Sequence, residues 1–182
     1  RFPLAREAGI ADQIAHGNAA AVNATTQAVL AAMPQGAIDH FSATDAEGRL
    51  LHPSPHLEGQ DHQPLSQADR ASFQLQARAD TDQLHVHPPL VSRVTGQWAM
   101  PVTRPVQRHG RFAGVATLAL SPQYLSDALA RQQVSAKDVI ALFHADGSYL
   151  ARSTDLGRVL GRQIARDRPF MQPGAASEGQ FR

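Results

Sequence analysis

The 182-residue sequence contains no cysteine. That excludes disulfides, thiolate nucleophiles, zinc knuckles and iron–sulfur clusters. Lysine is almost missing too: Lys137 stands alone and every other cation is arginine, which reads as coding bias. No charge of one sign dominates, since 17 basic residues face 16 acidic ones for a formal net charge of +1. With no basic stripe and no basic–aromatic interleaving, nucleic acid is not an expected partner. Long hydrophobic runs are lacking: the strongest, residues 112–120, falls far short of the ~20 residues that cross a bilayer. No signal-peptide pattern opens the chain, so it reads as a soluble piece. Missing as well are a Gly-x-Ser-x-Gly elbow, a phosphate-cradling glycine loop and a dinucleotide fingerprint. Nine histidines allow many His-Asp-Ser combinations, which carry no weight without geometry. The chain is therefore not expected to be an enzyme, and no cofactor is expected.

What is present is an ordinary folded composition, 42% hydrophobic and 18% charged, enough for one large domain or two small ones. Residues 10–33 are Ala-rich, and Ile10, Ile14, Val22, Val29, Leu30 and Met33 form one narrow stripe at helical spacing. Such a helix would run about 36 Å, the length of a spine or dimer seam, until Pro34-Gln35-Gly36 stops it. Strand, turn and return strand follow over residues 38–44, 45–48 and 49–52. A Pro/Gly/His-rich loop covers 53–64. Ser66-Gln67-Ala68-Asp69 resembles a capping box for a helix through about residue 78. Three antiparallel strands are predicted at 85–91, 97–106 and 112–120, then a helix begun by Ser121-Pro122.

Residues 138–145, Asp146-Gly147 and 148–152 repeat the strand–turn–strand of 38–52. Asp167-Arg168-Pro169-Phe170 echoes Asp69-Arg70 and Phe73 at a similar distance beyond it. One α/β unit is thus expected twice. Only twelve residues follow Phe170, whereas three strands need roughly 30, so the second copy is expected to be incomplete in this chain.

In this order, the strings resemble the double Cache sensors, extracytoplasmic PAS-like regions of bacterial membrane receptors. Asp45-Ala46-Glu47-Gly48-Arg49-Leu50 resembles the family's first hairpin, and Asp69-Arg70 through Phe73 its pocket-helix start. Residues 94–105 are similar to its third-to-fourth strand passage. Gly110-Arg111-Phe112-Ala113-Gly114-Val115-Ala116 through Tyr124-Leu125 is similar to its last strand and exit helix. The wording is nearest the versions carried by diguanylate cyclases; histidine kinases and chemoreceptors carry them too. The resemblance implies an α+β fold: an N-terminal spine helix (1–35), a membrane-distal PAS-like module with the ligand pocket (36–120), a connecting helix (121–135), and an incomplete membrane-proximal module (136–182), both modules having antiparallel sheets. It further implies a periplasmic region of an inner-membrane protein, with the membrane segments and output domain outside this chain and a homodimer formed through the N-terminal helix.

In that family the pocket lies between the central strands and the helix over them. Alternation on the 97–106 strand groups Trp98, Met100, Val102 and Arg104 on one face and Gln97, Ala99, Pro101 and Thr103 on the other. Trp98 and Met100 then make an apolar floor with Arg104 as an anionic anchor, Arg70 adds a second guanidinium, and Phe73, His85 and His87 complete the candidate ligand site. The expected ligand is a small organic anion. Departures from the amino-acid-binding subgroup point the same way: Phe73-Gln74 replaces its Trp-Tyr, Leu90 its tyrosine and Ala119 its ammonium-holding aspartate. An α-amino group would be buried without counter-charge. Other roles stay open. Arg70 can pair with Asp69 or a main-chain carbonyl at the helix start, Trp98 can be core, and Arg104 can face the dimer surface or be a solvated strand end. His85 and His87, with His52, His56 or His62, can be written as a metal site, but no third ligand is fixed by spacing and none is expected. Competing readings are a ligand-free dimerisation and transmission spacer, and a soluble small-anion-binding protein.

Overall fold

The computed structural model describes residues 19–52, 65–79 and 82–180. Helix α1 (Ala19–Ala32) is rich in alanine and has neither proline nor glycine; Pro34 follows its end and Gly36 takes a positive φ of 78° in the turn after it. The predicted helix begins at residue 10, and its first part lies outside the described residues. Two compact units follow from the contacts: one ends at Ser121 and omits Pro88–Leu90, and the other holds Pro88–Leu90 and everything from Pro122.

The first unit is built on an antiparallel sheet. The sheet's strands are β1 (Ile38–Thr44), β2 (Leu50–His52), β3 (His85–Val86), β4 (Leu90–Val91, of which Val91 belongs to this unit), β5 (Trp98–Arg108) and β6 (Arg111–Leu120). The order is β2-β1-β6-β5-β3, with β4 also on β5. The long β5–β6 hairpin turns at His109-Gly110, both at positive φ, and keeps register from Met100↔Leu120 to Arg108↔Arg111 apart from a bulge at Val106/Gln107. The strand expected over 85–91 is instead two short strands. Pro88 and Pro89 interrupt it, since neither has an N–H for a ladder. Helix α2 (Ala71–Arg78) packs over β5 and β6. Its start also differs from expectation: the N-cap is Arg70, without a side-chain cap. Ser66 Oγ accepts from the Ala68 N–H instead, at 3.2 Å, and Asp69 is drawn away by Arg93.

Alternation sorts the sheet into two chemically different faces. Away from α2, Ala43 and Val106 form a buried core with Phe41, Ala113 and Ala116 against them. On the face that carries Thr103, the cross-strand pairs His40↔Ala119, Ser42↔Thr117 and Thr103↔Thr117 set polar side chains among smaller apolar ones. His40, Ser42, Thr44 and Thr103 are all buried. The same face also buries Ala99, Pro101, Pro105, Val115 and Ala119, so polar and apolar groups are hidden on it together.

The second unit contains α3 (Pro122–Ala130), a hairpin of β7 (Ala141–Phe143) and β8 (Tyr149–Arg152), α4 (Leu156–Val159) and a 3-10 turn at Pro169–Met171. The Ser126 hydroxyl ties α3 to β8 by donating to the Arg152 carbonyl, and Phe143 packs on Tyr149 and Phe170 at ring separations of 4.7 and 6.1 Å. Strand β7 is shorter than the predicted 138–145, because the Asp138 carboxylate accepts from the Val134 and Ser135 N–H groups and holds a turn. The hairpin repeats the first unit's hydrogen bonds. Gln67 N–H donates to Gly48 O and Ile164 N–H to Gly147 O, while Leu50 pairs with Leu65 as Tyr149 does with Arg162. The bridges Arg49↔Ser66 and Ser148↔Gln163 match as well. This register places His144, not Asp146, opposite Asp45: the Asp45 carboxylate accepts from the Glu47 N–H, as His144 Nδ1 does from the Asp146 N–H.

One glycine decides how closely β1 and β6 approach. Gly114 has φ 149°, and a β-carbon there would stand 1.9 Å from the Thr44 carbonyl oxygen, beside the Thr44 Oγ1 that receives the Val115 N–H. Gly110 also has positive φ but has nothing within 4 Å of that position. Gly114→Ala is expected to lower stability by about 2–3 kcal/mol, and Gly110→Ala by about 1 kcal/mol. Denaturant unfolding checks the order, and equal losses would mean that the close approach is not what matters.

Candidate functional site

The site lies where α2 covers the polar face. Phe73 and Gln76, three residues apart, share the helix face turned to the sheet and are its buried residues. The Phe73 ring meets Phe112 edge-on at 5.8 Å, a favourable aromatic geometry. Gln76 is 0% exposed. Its Nε2, with two hydrogens to give, stands within hydrogen-bond reach of three acceptors: Thr103 O and Thr103 Oγ1, both at 2.9 Å, and Gln83 O at 3.2 Å. Thr103 Oγ1 is also 2.8 Å from His87 Nε2. A chain of polar groups thus runs from α2 through the middle of β5 to the residue after β3. His85, opposite Thr103 in register, stands on the same face, its ring 6.4 Å from that of His87.

At the head of α2 three charges meet. Arg93 grips Asp69 in a two-pronged pair, Nη1–Oδ1 at 2.6 Å and Nη2–Oδ2 at 2.7 Å, and its Nη1 also donates to Ser66 O. That geometry holds the Asp69 carboxyl at about 2, chiefly through the hydrogen bonds from Arg93. Both Asp69 oxygens are therefore engaged by Arg93. Arg70 donates from Nη2 to Val91 O at 3.1 Å. Burial, then the neighbouring Arg93 charge, lowers its pKa, against the pull of Asp69. Two atoms of this site are buried without a hydrogen-bond partner: Arg70 Nε and Gln76 Oε1.

Of the residues proposed from sequence, Arg70, Phe73, His85 and His87 come together on the α2 side. Trp98, Met100 and Arg104 do not. The grouping by alternation holds, but Thr103, not Arg104, meets α2, so those three belong to the opposite face and make no floor beneath the helix. Trp98 is 38% exposed and Met100 buried. Arg104 pairs with Asp82 through Nε–Oδ1 at 2.7 Å and Nη2–Oδ2 at 2.8 Å, and thereby lowers the Asp82 pKa. It is neither a solvated strand end nor an open anchor. Asp69 is similarly the partner of Arg93 rather than of Arg70. Ala119, where an ammonium-holding carboxylate was sought, does lie on the α2 side, opposite His40 and Pro101.

Sequence reasoning missed Gln76, Thr103, Ser42 and His40. The polar alternation His40-x-Ser42-x-Thr44 was the available signal, and a two-residue period with polar residues inward reads like an outward face. His40 Nδ1 lies 2.8 Å from Asp39 Oδ2, which also accepts from Thr95 Oγ1 at 2.7 Å. Among the described residues no group of three or more His, Asp or Glu side chains is placed to hold a metal ion; His56 and His62 lie outside them. Chemically, the arrangement offers a cation, a short polar relay and an aromatic wall. It suits recognition of a small molecule.

No family model matches the chain, and no curated protein matches it. Solved structures do. The extracellular domain of rpHK1S-Z16, named as a histidine kinase, superimposes with a TM-score of 0.62 at 19% identity, over 94% of this chain and 79% of that one. The ligand-binding domain of the Pseudomonas fluorescens chemoreceptor CtaA, in complex with L-serine, gives 0.62 at 21% identity over 85% of this chain. That of the Campylobacter jejuni chemoreceptor Tlp3, in complex with L-valine, gives 0.52 at 14% over 86%. The chain spans 63% and 58% of those two domains. At such identities the likeness establishes the fold alone: a mixed α+β architecture like that of these extracellular and ligand-binding domains. Among the described residues no helix is long and apolar enough to cross a membrane.

The Asp69–Arg93 pair has a pH signature. Because the folded carboxyl lies below its ordinary 3.8, at about 2, the pair's contribution is whole above about pH 4 and disappears as pH falls through 2. Carboxyl-detected NMR should find Asp69 titrating near 2 in the native chain and close to 3.8 in Arg93→Ala. An unchanged Asp69 in that variant would remove Arg93 as the cause.

Proposed function

We propose that the chain is the periplasmic ligand-sensing region of a bacterial membrane receptor, and that its first unit binds a small organic anion other than an amino acid. The observation that carries this is Arg70: a partly buried guanidinium whose Nε has no partner and whose neighbouring carboxylate is held by Arg93. An arriving carboxylate supplies the missing acceptor. Phe73, Gln76, Thr103, His85 and His87 share the α2 side of the sheet, and Ala119 leaves an ammonium group without a counter-ion. The shared fold with extracellular domains of a histidine kinase and of chemoreceptors supports the sensor role. The wording of the Asp45–Leu50 and Gly110–Ala116 strings supports a diguanylate cyclase as the output, with histidine kinase and chemoreceptor as alternatives. Any catalysis and the membrane anchor belong to segments outside this chain, and α1 with the residues before it is the proposed homodimer seam. Signalling then requires the anion to favour one of two arrangements, since a ligand with equal affinity for both shifts nothing.

A ligand-free spacer is the second reading, favoured by the Phe73–Phe112 contact, which fills space beneath α2 with the chain's own rings. A thermal-shift screen with organic acids separates the two. A bound acid at 100 times its dissociation constant stabilises by about 2.7 kcal/mol. Arg70→Ala is expected to abolish the shift and Arg104→Ala to leave it intact. If no acid raises the melting temperature, the spacer reading stands; if an amino acid does so and acids do not, the anion assignment fails.

A further inference from the structure

We propose that residues 158–168, with the exposed Phe170 beside them, form a docking surface for an anionic lipid bilayer. The surface belongs to the second unit and not to the α2 face. It rests on the preceding reading in one respect, that a membrane receptor keeps a bilayer within reach.

Charge that balances over the whole chain does not balance here. Arg158, Arg162, Arg166 and Arg168 fall within eleven residues that hold one acid, Asp167. All four are exposed. Several arginines elsewhere have acids of their own: Arg49 pairs with Asp45, Arg93 with Asp69, Arg104 with Asp82 and Arg152 with Asp155. The last of these pairs occupies the acid that most closely precedes the cluster. Among the described residues, none of the four clustered arginines enters an ion pair or gives a side-chain hydrogen bond.

The backbone beneath them is nevertheless pinned. Leu156 buries the start of α4, which carries Arg158. Tyr149 N–H donates to Arg162 O and Ile164 N–H to Gly147 O, which lashes the segment to the β7–β8 hairpin. Arg168 N–H closes a turn on Ala165 O, and Gln172 Nε2 donates to Arg166 O at 2.6 Å. Main-chain groups of Arg162, Arg166 and Arg168 are thus tied into the fold, while their side chains face solvent.

Phe170 follows at once, in the 3-10 turn Pro169–Met171. Its ring meets Phe143 at 6.1 Å and is still 40% exposed. Guanidiniums that can grip lipid phosphates in pairs, next to a ring that can enter the headgroup boundary, make up an interfacial anchor. An acidic protein patch would use the cations and leave the ring idle. A nucleic-acid strand asks for aromatic platforms at successive positions along a basic groove, whereas this ring lies at one end of the cluster. Each arginine strengthens attraction to an anionic surface about fivefold. The contact is therefore weak and salt-sensitive, which suffices for a unit already tethered beside its bilayer.

Co-sedimentation of the 182-residue chain with lipid vesicles is the test. Vesicles mixed equally from phosphatidylglycerol and phosphatidylcholine should bind it at least about tenfold better than phosphatidylcholine alone. Raising the salt from about 50 mM to about 500 mM should remove that preference. Combining Arg158→Gln, Arg162→Gln, Arg166→Gln and Arg168→Gln should remove it as well, with the melting temperature unchanged. Should that variant melt early, the four single changes decide instead, each lowering affinity for the mixed vesicles about threefold to fivefold. Arg78→Gln with Arg111→Gln takes two exposed charges from the first unit and should alter the preference less than about twofold. Equal binding to both kinds of vesicle overturns the proposal, as does a preference that survives the loss of all four arginines. Tighter binding of an oligonucleotide than of mixed vesicles, at matched phosphate and salt, overturns it too and reassigns the cluster to nucleic acid. A chain indifferent to vesicles whose melting temperature an organic acid still raises loses this surface and keeps the sensor reading.

Discussion

The single amide of Gln76 governs the first unit. A helix of eight residues is too short to be stable by its own hydrogen bonds, so α2 must be held by what it covers. Phe73 contributes apolar burial, but apolar contact alone does not fix where along the sheet a helix rests. The two carbonyls and the hydroxyl that meet Gln76 do fix it, because each demands a distance and an angle. In a buried setting the penalty for missing them is severe. Register between α2 and β5 is thus a polar decision.

An arginine at the head of α2 would ordinarily take the adjacent aspartate. Arg93 claims Asp69 with both prongs and also reaches Ser66 O. The start of α2 is strapped to the Ser92–Gln97 turn by that pair, and the strap removes the carboxylate that would have neutralised Arg70. Structural and recognition roles are divided between two arginines, and the exposed one does the structural work. Arg104, which has the more conspicuous place in the sequence, is spent on Asp82.

Much of this was legible beforehand, and the parts that were not share a cause. The hairpins, the helix after Ser121 and the reversal at His109-Gly110 follow from turn residues and from β-period alternation. The grouping of Trp98 with Met100 and Arg104 was legible for the same reason. Which of the two groups α2 would cover was not. Periodicity separates faces without labelling them, and the usual rule, apolar inward, points to the face that α2 leaves alone. Asp69 misled in a similar way: a carboxylate three residues after a serine suggests a capping box, yet its long-range partner Arg93 is stronger than a cap. Residues far apart in sequence decided both, and no local pattern contains them.

The recurrence between the two hairpins makes the point from the other side. By residue type alone, Asp45 would align with Asp146, both being aspartates beside a turn. The hydrogen bonds align Asp45 with His144 instead, one oxygen and one imidazole nitrogen each accepting the N–H two residues on. An acceptor at that position is what the turn requires, and either chemistry supplies it. The extended N-cap arginines, Arg70 and Arg168, with ψ of 134° and 135°, show the same economy further along. What recurs is the demand made by the backbone, and residue identity follows it only loosely. A pocket reading transferred from one unit to the other by matching letters would therefore go astray: Arg168 precedes a single 3-10 turn, not a helix over a polar sheet, and it has the position of Arg70 without its surroundings.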